Sequence, residues 1–206
     1  MEFPWWDKKS VSLFDQILFL PPVMEGALPL AFEQELFVEF CSGNGLWIVQ
    51  KALENPQNLW IAVEKKLERA KKIWNRAKRL GANNLLVVCG SAENLVTAIL
   101  PGPIVKEVFI NFPDPWPKAR HAKHRLIQET FVTELQKKML PGGKITFVTD
   151  HAPYLEQGLT VFEKTMKPLL PEPFYGKDPE NYGCSFFEEM WRKKNKTIHY
   201  TVYANH

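Results

Sequence analysis

Between residues 111 and 125 the chain reads Asn111-Phe112-Pro113-Asp114-Pro115-Trp116-Pro117-Lys118-Ala119-Arg120-His121-Ala122-Lys123-His124-Arg125. One carboxylate stands between two prolines. Proline fixes its own φ and restricts the residue before it, so Asp114 is preorganised without regular structure around it. A carboxylate held in this way can orient a ligand or offset positive charge that develops on it. Trp116 offers a flat apolar face, and Lys118, Arg120, Lys123 and Arg125 offer cations. That mixture grips a base and its phosphates together, although Trp116 would serve equally well as a core residue. His121 and His124 have no carboxylate at ligand spacing, and no metal is expected.

A second cluster comes earlier. Glu39-Phe40-Cys41-Ser42-Gly43-Asn44-Gly45 ends an apolar run and leads into helical sequence, which places a glycine turn at the carboxyl end of a strand, where α/β sheets bind ligands. Ile48 stands where a dinucleotide fingerprint needs its third glycine, so an NAD site is disfavoured. Glu64 follows some twenty residues later at the end of the next run, in position to accept hydrogen bonds from ribose hydroxyls, or else to pair with Lys65 or Lys66. Ser91, after the third run, either meets an adenine edge or caps the next helix.

The elements that must hold these residues follow from periodicity. Leu36 to Phe40, Leu59 to Glu64, Leu85 to Cys89, Val108 to Phe112 and Ile145 to Thr149 are nearly continuous in apolar residues, as strands buried on both faces are. Segments of helical period separate them, so the fold class expected is α/β, with a mostly parallel central sheet and helices on both faces. Leu67, Ala70, Ile73, Ala77 and Leu80 form one apolar stripe with Gly81 as C-cap. A further helix is expected from about Arg125 to Leu140, ending at Pro141-Gly142-Gly143 before the fifth strand, then another after Asp150 and a last strand from Thr197 to Tyr203. Residues 1–33 read as an N-terminal arm, ordered on the domain or on a partner, and 34–206 as the functional domain.

Composition narrows the partners. The 206 residues carry 26 Lys and Arg against 23 Asp and Glu, but windows 65–80, 118–125 and 192–196 hold 8, 4 and 4 of the basic residues and leave the remainder net acidic. Basic charge gathered in this way favours a polyanion. Three scattered cysteines suggest neither a disulfide framework nor a zinc site and fit a reducing cytoplasm. Met1 to Asp7 lacks the basic and apolar regions of a secretory signal, and no run is long enough to span a membrane.

The Phe-Pro-Asp-Pro-Trp loop with its Lys, Arg and His run closely resembles that of the bacterial tRNA guanine-N7 methyltransferases. The likeness continues in order through Glu39 and the glycine turn, Glu64, Thr149-Asp150 and Ser185-Phe186-Phe187-Glu188, over roughly residues 34 to 203. It implies a Rossmann-like class I methyltransferase fold that binds S-adenosylmethionine and methylates N7 of a variable-loop guanosine in tRNA. It further implies that Glu39, Gly43, Gly45, Glu64, Ser91 and Asp114 line the cofactor site, with Asp114 at the reaction centre. Lys118, Asp150, Ser185, Phe186, Phe187 and Glu188 would contact the target nucleotide, and Arg120, Lys123 and Arg125 the tRNA phosphates. The chain departs from the family pattern at Cys41, usually glycine, at Ser91, usually aspartate, and at Ser185, usually threonine. Those departures keep a rival of another class in view, an RNA-binding domain that has lost its cofactor, beside a methyltransferase of the same fold with another substrate.

Overall fold

The computed structural model describes residues 9–180, 182, 183 and 186–206, with the side chains of Ala119, Phe186 and Phe187 outside the description. The chain divides into two compact units, Met1–Pro101 and Gly102–His206. The first holds β1 (Ser12–Phe14), β2 (Ile17–Phe19), β3 (Leu36–Phe40), α1 (Leu46–Glu54), β4 (Leu59–Glu64), α2 (Leu67–Leu80), β5 (Leu85–Cys89) and α3 (Ala92–Asn94), which continues as a π-helical turn over Leu95–Ile99. Its strands lie in the order β1-β2-β5-β4-β3. All neighbours run parallel except the β1–β2 hairpin. Parallel strands covered on both faces need apolar residues at successive positions, and Trp60, Ile61, Ala62 and Val63 in β4 and Val87 and Val88 in β5 are all buried.

The hairpin shows what part of the first 33 residues does. β2 pairs with β5, Val87 donates its N–H to Gln16 O at 2.8 Å, and Leu20 donates to Cys89 O at 3.0 Å. Asp15, in the hairpin turn, accepts from Trp74 Nε1 at 3.2 Å and pairs with Lys78 at 3.0 Å, which ties the hairpin to α2. Trp5 and Trp6 lie outside the described residues.

Helix α2 has the expected span, and Gly81 ends it at φ 78 while Ala82 N–H returns to Ala77 O at 3.0 Å, a Schellman closure. The buried stripe runs through Ala70, Ile73, Trp74 and Ala77, whereas Leu80 is 48% exposed.

The second unit contains β6 (Val105–Asn111), α4 (Glu129–Gln136), β7 (Met139–Thr149), α5 (Ala152–Phe162), β8 (Lys167–Pro168), β9 (Gly176–Lys177), α6 (Phe186–Lys193) and β10 (His199–Ala204). β6 and β7 are parallel, and β10 runs antiparallel to β7, β8 and β9. Two expectations are corrected here. The helix expected from Arg125 begins only at Glu129, because Ala119–His124 form a 3-10 helix and Arg125 is extended. Pro141-Gly142-Gly143 does not precede the strand but bulges within it: between paired positions β6 advances from Val105 to Glu107 while β7 advances from Met139 to Lys144.

A single amide holds the connection that delivers β5. Asn84 Nδ2 donates to the carbonyls of Ala52 in α1, Asn55 at its C-cap and Asn58 in the loop beyond, at 3.0, 3.1 and 2.9 Å, closing the C-terminal end of the helix onto the loop that follows it. Asn84→Ala is expected to destabilise the protein by about 1–3 kcal/mol, read from urea unfolding, because the Ala52 and Asn58 carbonyls lose the amide that bonds them, while the Asn55 carbonyl keeps the Asn58 N–H at 3.1 Å.

Candidate active site

In the first unit the glycine turn is stitched to the end of β4. Ser42 N–H donates to Val63 O at 3.1 Å, and Ser42 Oγ donates back to Glu39 O at 3.0 Å. Glu64 is 6% exposed, and its carboxylate accepts Gly43 N–H at 3.0 Å on one oxygen and Lys66 N–H at 2.9 Å on the other. The guanidinium of Arg69 stands 3.9 Å away. The ammonium of Lys65 pairs instead with Glu93, at 3.7 Å. Glu64 therefore braces the turn through backbone donors, and a carboxylate with two such bonds still has lone pairs for a ligand hydroxyl. Glu39 is buried beside it at 2% exposure.

Gly45 begins α1 at φ 70, and a Cβ there would come within 2.8 Å of Ile73 on α2, so both conformation and packing demand glycine. Cys41 occupies φ 63, in the left-handed region that favours glycine. The cysteine adopts that conformation at a cost of about 1–2 kcal/mol. Ser91 Oγ accepts Asn94 N–H at 3.0 Å, so of its two sequence readings the structure shows the helix cap.

In the second unit β6 ends in Asn111, 4% exposed, whose Oδ1 accepts the Tyr182 hydroxyl at 2.8 Å. Phe112 turns at φ 46, anchored by its N–H to Val148 O at 2.9 Å and packed with Val148 and Ile198 against Tyr182, Trp191 and Tyr200. Asp114 then emerges exposed, its Oδ1 accepting Trp116 N–H at 3.3 Å, and Trp116 itself sits at φ 40. Two left-handed residues flank the Pro-Asp-Pro core, each costing about 1–3 kcal/mol, strain of a kind that clusters at functional sites.

Trp116 is half-buried and packs near His121 and His124, with ring centroids 5.9 and 5.2 Å away. Lys118, Arg120 and Lys123 are exposed on the 3-10 turn. Arg125 is not. At 7% exposure its guanidinium is enclosed by the protein, which corrects its sequence assignment as a phosphate contact. No local signal in the sequence marks the difference: the 3-10 helix ends at His124, and extended Arg125 is enclosed by contacts with Pro115 and α5 that are made at a distance.

Asp150, after β7, pairs with Lys196 at 2.9 Å, and that ammonium lies 3.7 Å from the centre of the Trp191 ring. Glu188 is 6% exposed and bonded to Arg192 at 2.9 Å. Ser185 lies outside the described residues, and the side chains of Phe186 and Phe187 are not described. Among the described residues no group of three or more His, Cys, Asp or Glu could hold a metal, and no helix is long and apolar enough to cross a membrane.

Comparison with known proteins decides the family. A family model described as "Putative methyltransferase" matches residues 33–201. A tRNA (guanine-N(7)-)-methyltransferase of Chlamydia trachomatis is 38% identical over 210 residues, covering 97% of this chain and 93% of its own. One of Chlamydia abortus is 36% identical, covering 96% and 92%. The chain belongs to the tRNA (guanine-N(7)-)-methyltransferase family. Its solved neighbours share the Rossmann-like methyltransferase fold. The 16S rRNA methyltransferase KamB aligns at TM-score 0.63 and 14% identity, covering 84% of this chain and 88% of that one. A 16S rRNA (adenine(1408)-N(1))-methyltransferase from Catenulisporales acidiphilia, solved with cosubstrate SAM, aligns at 0.56 and 14%, covering 83% and 85%.

Within this methyltransferase the Cys41 thiol is unusually reluctant to ionise. Burial first, and the neighbouring Glu64 carboxylate second, push it up to about 12. At pH 8 only about one thiol in ten thousand is then thiolate, the form that reacts. Iodoacetamide should label Cys41 at least about 100-fold more slowly in the native protein than in urea, and the native rate should climb with pH through the alkaline range. Peptide mapping of the alkylated protein checks this.

Proposed function

We propose that the protein transfers a methyl group from S-adenosylmethionine to N7 of the variable-loop guanosine of tRNA, in the cytoplasm. The observation that carries this reading is the strained Pro-Asp-Pro loop, which presents an exposed Asp114 beside Trp116 and a cationic 3-10 turn, in a chain related over nearly its whole length to tRNA (guanine-N(7)-)-methyltransferases. Glu39, Glu64 and the Gly43 and Gly45 turn would hold the cofactor. The residues present suit it: Glu64 is buried with both oxygens already oriented by backbone donors, as an acceptor for ribose hydroxyls must be. Ser91 offers a hydroxyl already engaged as a cap and no charge, so the adenine end is held less by electrostatics than an aspartate would allow.

The cofactor supplies a methyl group already activated by a sulfonium charge. Guanine N7 has an in-plane lone pair and no proton, so no general base is required and the task of the chain is orientation, which can supply about 7–11 kcal/mol. Asp114 orients the base and offsets the positive charge that the ring acquires. Asp150 holds the target nucleotide, while Lys118, Arg120, Lys123 and the exposed cations of α2 hold phosphates; Glu188, 6% exposed and bonded to Arg192, braces α6 instead.

Labelled methyl transferred to bulk unmodified tRNA should be recovered as 7-methylguanosine, and tRNAs without a variable-loop guanosine should stay unlabelled. Label in another nucleoside, or tRNA binding without transfer, would overturn the reading. Asp114→Asn should lower kcat by about 10- to 100-fold, since the counter-charge is lost at the step where it is needed. Lys118→Ala should raise KM for tRNA and reduce the slope of its salt dependence by about one, while leaving cofactor affinity unchanged.

A further inference from the structure

Arg125 is the last cation of the basic run, yet its side chain turns inward. Its Nε donates to the Pro115 carbonyl at 2.8 Å. Its Nη1 donates to Gln157 Oε1 at 2.8 Å and to Pro153 O at 3.3 Å, both on the first turns of α5. The guanidinium lies 5.0 Å from the centre of the Tyr154 ring. The same α5 residues are themselves fixed: the Tyr154 hydroxyl accepts Ile127 N–H at 3.1 Å, and Gln157 Nε2 donates to Ile127 O at 2.9 Å.

We propose that Arg125 is a positioning residue for methyl transfer: its guanidinium fork fixes the Pro115–Trp116 peptide, one link beyond Asp114, to helix α5 and so sets where the Asp114 carboxylate stands. The inference rests on the role given to Asp114 above. The route is short. Pro113 and Pro115 restrict the backbone on either side of Asp114, so holding the Pro115 carbonyl leaves the carboxylate little freedom beyond its own side-chain torsions. A flat fork with donors in fixed directions can serve Pro115 on one edge and α5 on another while stacking on Tyr154. An ammonium is a point donor and cannot span both. The loop has two left-handed residues to hold, Phe112 and Trp116. Phe112 is anchored by β7 and the apolar cluster, and Arg125 supplies the anchor at the other end.

A phosphate contact and a positioning role predict different kinetics. With Arg125→Lys, kcat for tRNA methylation should fall at least about tenfold, with KM for tRNA within about twofold and an unchanged salt slope. Trypsin should cut after Lys118 and Arg120 at least about tenfold faster than in the parent protein, with cleavage in α2 unaltered. A kcat within twofold of the parent, or a salt slope reduced by about one with kcat retained, would overturn the proposal. If Arg125→Lys fails to melt cooperatively, Gln157→Leu, which removes one acceptor from the fork, carries the test. It should lower kcat at least threefold in the same pattern, and an unchanged kcat there overturns the proposal. The unaltered protein is assayed in parallel. Should it transfer no methyl to tRNA, the functional reading fails by itself, and local acceleration of cleavage at Lys118 and Arg120 still decides whether Arg125 holds the loop.

Discussion

Where a parallel ladder ends, peptide groups remain that no neighbouring strand can pair, and in a covered sheet each must find another partner. The strand ends of this protein answer that constraint with side chains. Glu64 takes the N–H groups of Gly43 and Lys66, Ser91 takes that of Asn94, and Arg125 takes the carbonyl of Pro115. Site and scaffold therefore share atoms. The groups that complete the backbone bonding of the turns are the groups that determine which turns can exist.

Such sharing has a mechanical consequence. The loop at 112–116 contains two left-handed non-glycine residues and three of the chain's stiffest peptide links nearby, so it has few conformations to lose. Its strain is balanced at one end by the burial of Phe112 with Val148 and Ile198, and at the other by an enclosed arginine. Methylation of an unprotonated ring nitrogen asks little of proton transfer and much of placement. A loop made rigid by covalent geometry, with an exposed carboxylate at its tip, suits that demand better than a flexible one.

Charge is divided in the same manner. Lys65, Arg69, Lys71 and Lys78 on or beside α2 lie near carboxylates of their own unit, and Lys196 and Arg192 are committed to Asp150 and Glu188. Counting basic residues thus overstates what is offered to a polyanion. Surface pairs of this kind contribute little to stability and exchange readily, so the α2 cations can turn to phosphates, whereas enclosed Arg125 cannot.

Much of this was legible in the sequence. Nearly continuous apolar runs located β3, β4 and β5 to the residue, because strands buried on both faces need apolar residues at successive positions, with Glu39 and Glu64 the buried exceptions. The stripe of α2 and its Gly81 cap were readable for the analogous reason of helical period. The Pro-Asp-Pro core announced its rigidity because proline acts through local covalent geometry. What the sequence could not express were contacts made at a distance. Arg125 and Lys123 are chemically alike and two positions apart, yet one is enclosed by Tyr154 and Gln157 and the other is exposed. Leu80 fits the apolar stripe but is 48% exposed, with Trp74 buried in the stripe instead. Pro141-Gly142-Gly143 spells a turn and became a bulge, because Met139 before it pairs with Val105. Local rules determined which elements form and where the chain is stiff. Only the tertiary structure decided which charges are buried, since burial depends on what packs against a side chain and not on the residues beside it.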